Sequence, residues 1–166
     1  MNNIILVGFM GTGKSVVGKL LAKKLKKDFL ELDEAIEARE KMSIKDIFEK
    51  KGEPHFRSVE KEVVKEASLR KNTVISAGGG AIIDEENFKN LKSSGIIICL
   101  KASPDTILKR TKNIKTRPLL NVPDPKKQIG ELLKKREPYY NKADFSVNTN
   151  NLTIDQVAEE IIKILT

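Results

Sequence analysis

An α/β fold in three layers, with helices on both faces of a five-stranded parallel sheet, is the architecture this chain predicts, and three observations carry it. Five short apolar runs, at residues 4–7, 29–32, 73–77, 96–100 and 145–148, have the length and β-branched content of buried strands. Segments of helical periodicity separate them, and strands that alternate with helices assemble into parallel sheets covered on both sides. The first run breaks into Gly8-Phe9-Met10-Gly11-Thr12-Gly13-Lys14-Ser15 and leads straight into a helical pattern, the strand, loop and helix order of a phosphate-binding turn.

Taken in order, the first helix is predicted over 16–26, where Val16, Val17, Leu20, Leu21 and Leu25 recur at helical spacing. A second is expected over 33–39, and a short one over 44–49 behind Ser43 as N-cap. Pro54 opens a long helix to residue 69, and residues 84–92 give another. Ser103-Pro104 supplies a cap followed by a first-turn proline for a helix over 104–110. Helices over 125–136 and 154–165 complete the set. Residues 111–124 break the alternation. They hold Lys112, Lys115, Arg117, Pro118 and Pro123 with little apolar periodicity, which predicts an exposed, mobile lid of the kind that closes over phosphates and excludes water.

The 166 residues, 39% of them hydrophobic, fit one domain over 1–166 with a single core. The formal charge of +8 suits anionic ligands. Much of it lies in Lys23, Lys24, Lys26 and Lys27, which read as solvated helix surface, so no specific nucleic-acid partner is expected. Cys99 sits inside an apolar run and is read as reduced and buried. With one cysteine and one histidine, His55, a zinc site is excluded, and His55 is assigned no role beyond surface or helix end. The first strand begins within a few residues of Met1 and no apolar run approaches the length of a membrane span. A cytoplasmic protein with no membrane partner is therefore expected.

Residues 8–15 fit G-x-x-x-x-G-K-[ST]. In that pattern the backbone N–H groups of Gly11, Thr12, Gly13, Lys14, Ser15 and Val16 cradle phosphates, Lys14 reaches the β/γ oxygens and the Ser15 hydroxyl holds Mg²⁺. Asn141-Lys142-Ala143-Asp144 fits the N-K-x-D guanine-reading pattern of GTPases. It precedes a strand instead of following one, and no D-x-x-G switch accompanies it, so the GTPase reading is set aside.

Four further places add chemistry. Glu31 and Asp33 follow the second strand, Phe56-Arg57 opens a long helix, Gly78-Gly79-Gly80 ends the third strand, and Arg136 with Tyr140 lies beyond the lid. Together with the phosphate loop and Thr116-Arg117-Pro118-Leu119-Leu120, these resemble the shikimate kinase family over nearly the whole chain. The resemblance implies a P-loop NTPase fold of the nucleoside monophosphate kinase type, ATP as co-substrate with one Mg²⁺ ion, a monomer, and phosphorylation of the 3-hydroxyl of shikimate on the way to chorismate and aromatic amino acids. It implies that Arg57 and Arg136 clamp the acceptor carboxylate, where paired guanidinium donors suit a planar anion. Gly78, Gly79 and Gly80 contact the acceptor, within a region of about 33–60 and beyond. Asp33 holds the reacting hydroxyl, Lys14 and Arg117 stabilise charge on the phosphoryl oxygens, and Arg110 packs on adenine. Ile44, Phe48, Phe56, Pro118 and Leu119 match walls of the acceptor pocket and could equally be plain core. Glu60 could brace Arg57 at i,i+3 or be an incidental surface pair. The family's usual aspartate-x-aspartate is here Glu31-Leu32-Asp33, a longer first carboxylate that could reach Mg²⁺ through water. A kinase for another small anionic alcohol such as gluconate, and a nucleotide-dependent nucleic-acid binder, are the competing readings.

Overall fold

A computed structural model of the chain describes residues 2–112 and 122–166. Arg117, Pro118, Leu119 and most of the expected lid lie outside the described residues. Five parallel strands, β1 (Asn3–Val7), β2 (Asp28–Glu31), β3 (Thr73–Ser76), β4 (Gly95–Lys101) and β5 (Phe145–Asn148), form one sheet in the order β2-β3-β1-β4-β5. Among the described residues the helices are α1 (Lys14–Leu25), α2 (Leu32–Glu40), α3 (Ile44–Lys51), α4 (Glu53–Ser68), α5 (Glu85–Ser94), α6 (Pro104–Thr111), α7 (Pro125–Tyr140) and α8 (Ile154–Leu165).

The central strand β1 is buried along its whole length, and its side chains alternate between two cores. Ile4 and Leu6 pack with Val17 and Leu21 of α1 and Val157 and Ile161 of α8 on one face. Ile5 and Val7 pack with Ile36, Ile47, Val63 and Ile129 on the other, under α2, α3, α4 and α7. This division follows from the two-residue period of a strand. Because every pairing is parallel, the loops after β1, β2 and β3 open at the same edge of the sheet, where ligands of open α/β sheets bind.

The elements expected from the sequence are present, with boundary differences that have local causes. Residue 32 belongs to α2, not to β2: Glu31 keeps extended backbone (φ −97°, ψ 115°) and Leu32 turns helical. Helix α7 runs four residues beyond Arg136 and carries Pro138 inside its last turn, where the missing N–H removes the helical donor to the Lys134 carbonyl but the helix continues to Tyr140. This extension puts Arg136 and Tyr140 one turn apart on a single helix face. A 3₁₀ turn at Ala81–Ile83, absent from the sequence reading, follows the glycine run.

The lysine run of α1 is not purely solvated, since Lys24 Nζ lies 3.2 Å from Asp155 and 2.7 Å from Glu159 of α8. The N-K-x-D residues serve the sheet instead of a guanine. Asp144 accepts from Ile97 N at 2.9 Å and pairs with Lys92, while Lys101 donates to Asn141 at 3.3 Å. Among the described residues no helix is long and apolar enough to cross a membrane.

Candidate active site

The phosphate loop is built on left-handed glycines. Gly8, Gly11 and Gly13 have φ of 141°, 78° and 94°, conformations that side chains resist. At Gly8 a Cβ would also stand 2.3 Å from the Leu100 carbonyl oxygen, so the loop leaves β1 pressed against β4. Gly13 is the N-cap of α1 and offers no side-chain cap, which leaves the first-turn N–H groups aimed at the loop, an anion-binding arrangement. The Thr12 hydroxyl donates to Phe9 O at 2.7 Å and pins the turn. Lys14 Nζ donates to Gly8 O at 2.6 Å and Phe9 O at 3.1 Å. The Ser15 hydroxyl donates to Glu31.

Across the cleft, the three glycines after β3 each make room for a different side chain. A Cβ on Gly78 would lie 2.9 Å from Asp33 Oδ1, one on Gly79 3.0 Å from Arg136 Nη1, and one on Gly80 2.7 Å from Arg57 Nη2. None of the three needs a left-handed backbone. Their absence of side chains therefore serves close approach, not turning. The run seats a carboxylate and two guanidinium groups against three successive residues of one loop.

Both arginines are held. Arg57 Nη1 donates to both oxygens of Glu60, at 2.9 and 3.2 Å. Glu60 is only 2% exposed, so the i,i+3 contact is a buried brace and not a surface pair. Arg136 is 5% exposed on α7, with its guanidinium carbon 5.3 Å from the Phe9 ring centroid. The Tyr140 hydroxyl donates to Gly79 O and fixes the middle of the glycine run. Burial pushes the Tyr140 phenol up to about 12, which keeps it a donor. Burial also raises the Glu60 carboxyl above the usual carboxylate range, against the pull of Arg57.

These groups line one cleft of about 550 Å³, with Lys14, Ser15, Val16, Glu31, Asp33, Arg57, Gly78, Gly79, Gly80 and Arg136 on its walls. Ile44, Phe48 and Phe56 line it as well, so these apolar positions are pocket wall. Glu34 and Glu37 also line it, and the sequence reading passed over both. Glu37 accepts from Ile44 N at 2.9 Å and ties α2 to the start of α3. A second cavity, of about 610 Å³, lies against Phe9, Leu100, Pro104, Gly130, Leu133 and Tyr140. It is of similar size, but it lacks the loop's Lys14 and Ser15 and the paired arginines, so phosphate chemistry belongs to the cleft.

Arg110 is exposed in the last turn of α6 but is tied down there. Its guanidinium donates to Gly11 O at 3.1 Å, to Thr149 Oγ1 at 3.0 Å and to Thr149 O at 3.0 Å. It thereby joins the phosphate loop to the segment after β5, beside the nucleotide side of the cleft.

A grip for phosphates thus faces a clamp for a small anion across one opening. The shikimate kinase family model matches residues 10–166, almost the full length of the chain. The chain belongs to the shikimate kinase family. The shikimate kinase of Thermodesulfovibrio yellowstonii is 52% identical over 98% of this chain and 94% of its own length. The solved structure of shikimate kinase from Acinetobacter baumannii in complex with shikimate is 40% identical, with a TM-score of 0.96 over 99% of this chain and 93% of that one. A gluconokinase from Sinorhizobium meliloti shares the fold, at a TM-score of 0.65 and 17% identity.

For a member of the shikimate kinase family a nucleotide-bound divalent cation is implied, and the residues at Ser15 fit one. Ser15 Oγ and Glu31 are bonded, and Ser76 pairs with Glu31 in the β2–β3 register. The Ser76 hydroxyl is fully buried beside Glu31 and, with Ser15, pulls the Glu31 carboxyl down against its burial. The donor set is all oxygen, as Mg²⁺ prefers. Burial raises the Glu31 carboxyl, with the Ser15 hydroxyl pulling the other way, so a cation beside it would favour its charged form. Among the described residues no group of three or more His, Cys, Asp or Glu could hold a metal ion.

Proposed function

We propose that this chain transfers the terminal phosphoryl group of ATP to the 3-hydroxyl of shikimate, giving ADP and shikimate 3-phosphate. The observation that carries the reading is the glycine run that seats Asp33, Arg136 and Arg57 side by side opposite the phosphate loop. A small cyclic acid with several hydroxyls matches two guanidinium groups for its carboxylate and one carboxylate for its hydroxyls. Shikimate is also what the Acinetobacter relative holds.

Position supports the role proposed for each described residue. Arg57, stiffened by Glu60, and Arg136, stiffened by Phe9, bind the acceptor carboxylate. Asp33, in the first turn of α2, accepts a hydrogen bond from the reacting hydroxyl and aims its oxygen at the phosphorus. Phosphoryl transfer passes through a loose transition state, so alignment and charge neutralisation supply most of the rate and proton removal is the lesser part. Lys14, with its ammonium over the loop, neutralises charge on the transferring group. Arg117, which lies outside the described residues, is assigned the same role on the strength of the family's R-P-L-L motif alone. Gly11 to Val16 hold the phosphates with backbone N–H groups, and Arg110 lies against the adenine. Ser15 would hold Mg²⁺, with Glu31 reaching it through water, and the ion would supply charge neutralisation at the phosphates. All of these groups come from one chain, so the reading needs no second copy.

The test is a coupled ADP-release assay with ATP and Mg²⁺ against shikimate, quinate and gluconate. Turnover is expected with shikimate far above the other two; no turnover with shikimate, or preference for gluconate, would overturn the assignment.

A further inference from the structure

The three helices that shape the acceptor side of the cleft meet again away from it, on one carboxylate. Glu40 ends α2, Lys51 ends α3, and His55 lies in the first turn of α4. His55 Nε2 bonds Glu40 Oε1, and Lys51 Nζ donates to Glu40 Oε2 at 3.3 Å. The Glu40 side chain is 13% exposed, against 40% for His55 and 38% for Lys51, so the anion is shielded beneath two accessible nitrogens. Its carboxyl is held below the usual carboxylate range, by the His55 hydrogen bond first and by Lys51 after it.

Each of these helices carries cleft residues on its inner side: Asp33 and Glu37 on α2, Ile44 and Phe48 on α3, Arg57 and Glu60 on α4. His55 is bonded covalently to Phe56, directly before Arg57. Gly52, with φ of 83°, joins α3 to α4 just ahead of it. The neighbouring charges have other partners. Arg39 of α2 pairs with Glu62 and Glu66 of α4, and Glu53 of α4 lies 3.5 Å from Arg57 Nε.

We propose that Glu40, Lys51 and His55 form a positioning cluster that sets acceptor affinity through the placement of Arg57 and makes that affinity depend on the charge of His55. This rests on the reading of shikimate as acceptor. A protonated His55 gives Glu40 two cations and draws the first turn of α4 against the end of α2. A neutral His55 retains a hydrogen bond but loses the attraction between charges. Because both nitrogens are accessible, the effect is modest, roughly two- to fivefold, and salt weakens it.

The test is calorimetric titration of the full chain with shikimate alone from pH 5.5 to 8.5, which avoids the titration of ATP. His55 is the only histidine in the sequence, and because Glu60, whose carboxyl burial raises, also faces Arg57, the slope is assigned to His55 by its loss in the His55 variants. The wild type is expected to bind about two- to fivefold more weakly at the alkaline end at low salt, and to show no such slope at high salt. His55→Gln and Glu40→Gln are expected to give flat, weaker binding, and His55→Lys flat, tight binding, with kcat unchanged in all three. A flat wild-type profile, or His55→Gln retaining the slope, overturns the cluster. Failure of shikimate to bind at any pH overturns both the cluster and the acceptor assignment.

Discussion

An alanine at Gly80 would place a methyl group 2.7 Å from Nη2 and 2.9 Å from Nη1 of Arg57. That guanidinium cannot simply swing aside, since Glu60 holds it with two hydrogen bonds. Gly80 has an ordinary backbone (φ −104°), so the substitution strains no dihedral and its effect falls on the clamp. Displacing a charged hydrogen-bonding group costs about 1.5–3 kcal/mol. Gly80→Ala is expected to raise the KM for shikimate roughly ten- to a hundredfold, with KM for ATP and thermal stability near wild type; steady-state kinetics with each substrate varied checks it. Glu31→Gln should raise the Mg²⁺ concentration for half-maximal rate by several-fold, because the amide cannot order a metal-bound water as a carboxylate does; a Mg²⁺ titration at saturating ATP reads this, and an unchanged midpoint removes Glu31 from the metal site. At this scale the sequence marks candidates and leaves burial unread. The motifs pick out Arg57 and Arg136, which the structure brings to one cleft, yet nothing in the sequence tells that Glu60 is 2% exposed or that Ser76 lies beside Glu31. Those facts depend on register and packing between distant segments.

Two helix glycines show how packing decides the sign of the same substitution. Gly130 of α7 has nothing within 4 Å of where a Cβ would be. Gly130→Ala therefore gains helix propensity without a clash, and should stabilise the fold by about 0.5–1 kcal/mol. In α1, a Cβ on Gly18 would stand 2.6 Å from Phe29 Cε2 and 3.4 Å from Leu6 Cδ1. Gly18→Ala should destabilise by about 1–3 kcal/mol as α1 is pushed off the sheet. Urea unfolding midpoints of the two variants should move in opposite directions, and a shared direction would refute the packing argument. The elements themselves are readable in the sequence because each strand is a short apolar run and most helices carry a cap. The ends are less so. Leu32, apolar and buried, fits either the end of β2 or the start of α2, and Pro138 reads as a helix stop although the helix continues to Tyr140.

The whole molecule should lose stability in alkali through two buried groups. Burial raises the Cys99 thiol from 9.0 to about 11 and the Tyr140 phenol from 10.0 to about 12. Both are neutral when protonated, so the folded state keeps protons that the unfolded chain releases. The contribution is complete below pH 9 and is lost as pH rises towards 12, with a slope of at most about 1.4 kcal/mol per pH unit for each group. Urea unfolding between pH 8 and 11 is expected to show this decline, and Cys99→Ala should flatten its first part; an unchanged slope in that variant would rule the thiol out. The global topology follows from alternating strands and helices, but the convergence of Asp33, Arg57, Gly78 and Arg136 on one cleft does not, since it requires the strand order β2-β3-β1-β4-β5.

That convergence leaves Phe9 in an unusual place. Its ring carries the Arg136 guanidinium at 5.3 Å and also walls the second cavity, alongside Leu100 and Tyr140. It therefore acts as a partition between two hollows, one of which must shed water for phosphoryl transfer to outcompete hydrolysis. Removing it would breach that wall, and the first sign would be ATP consumed without an acceptor being phosphorylated.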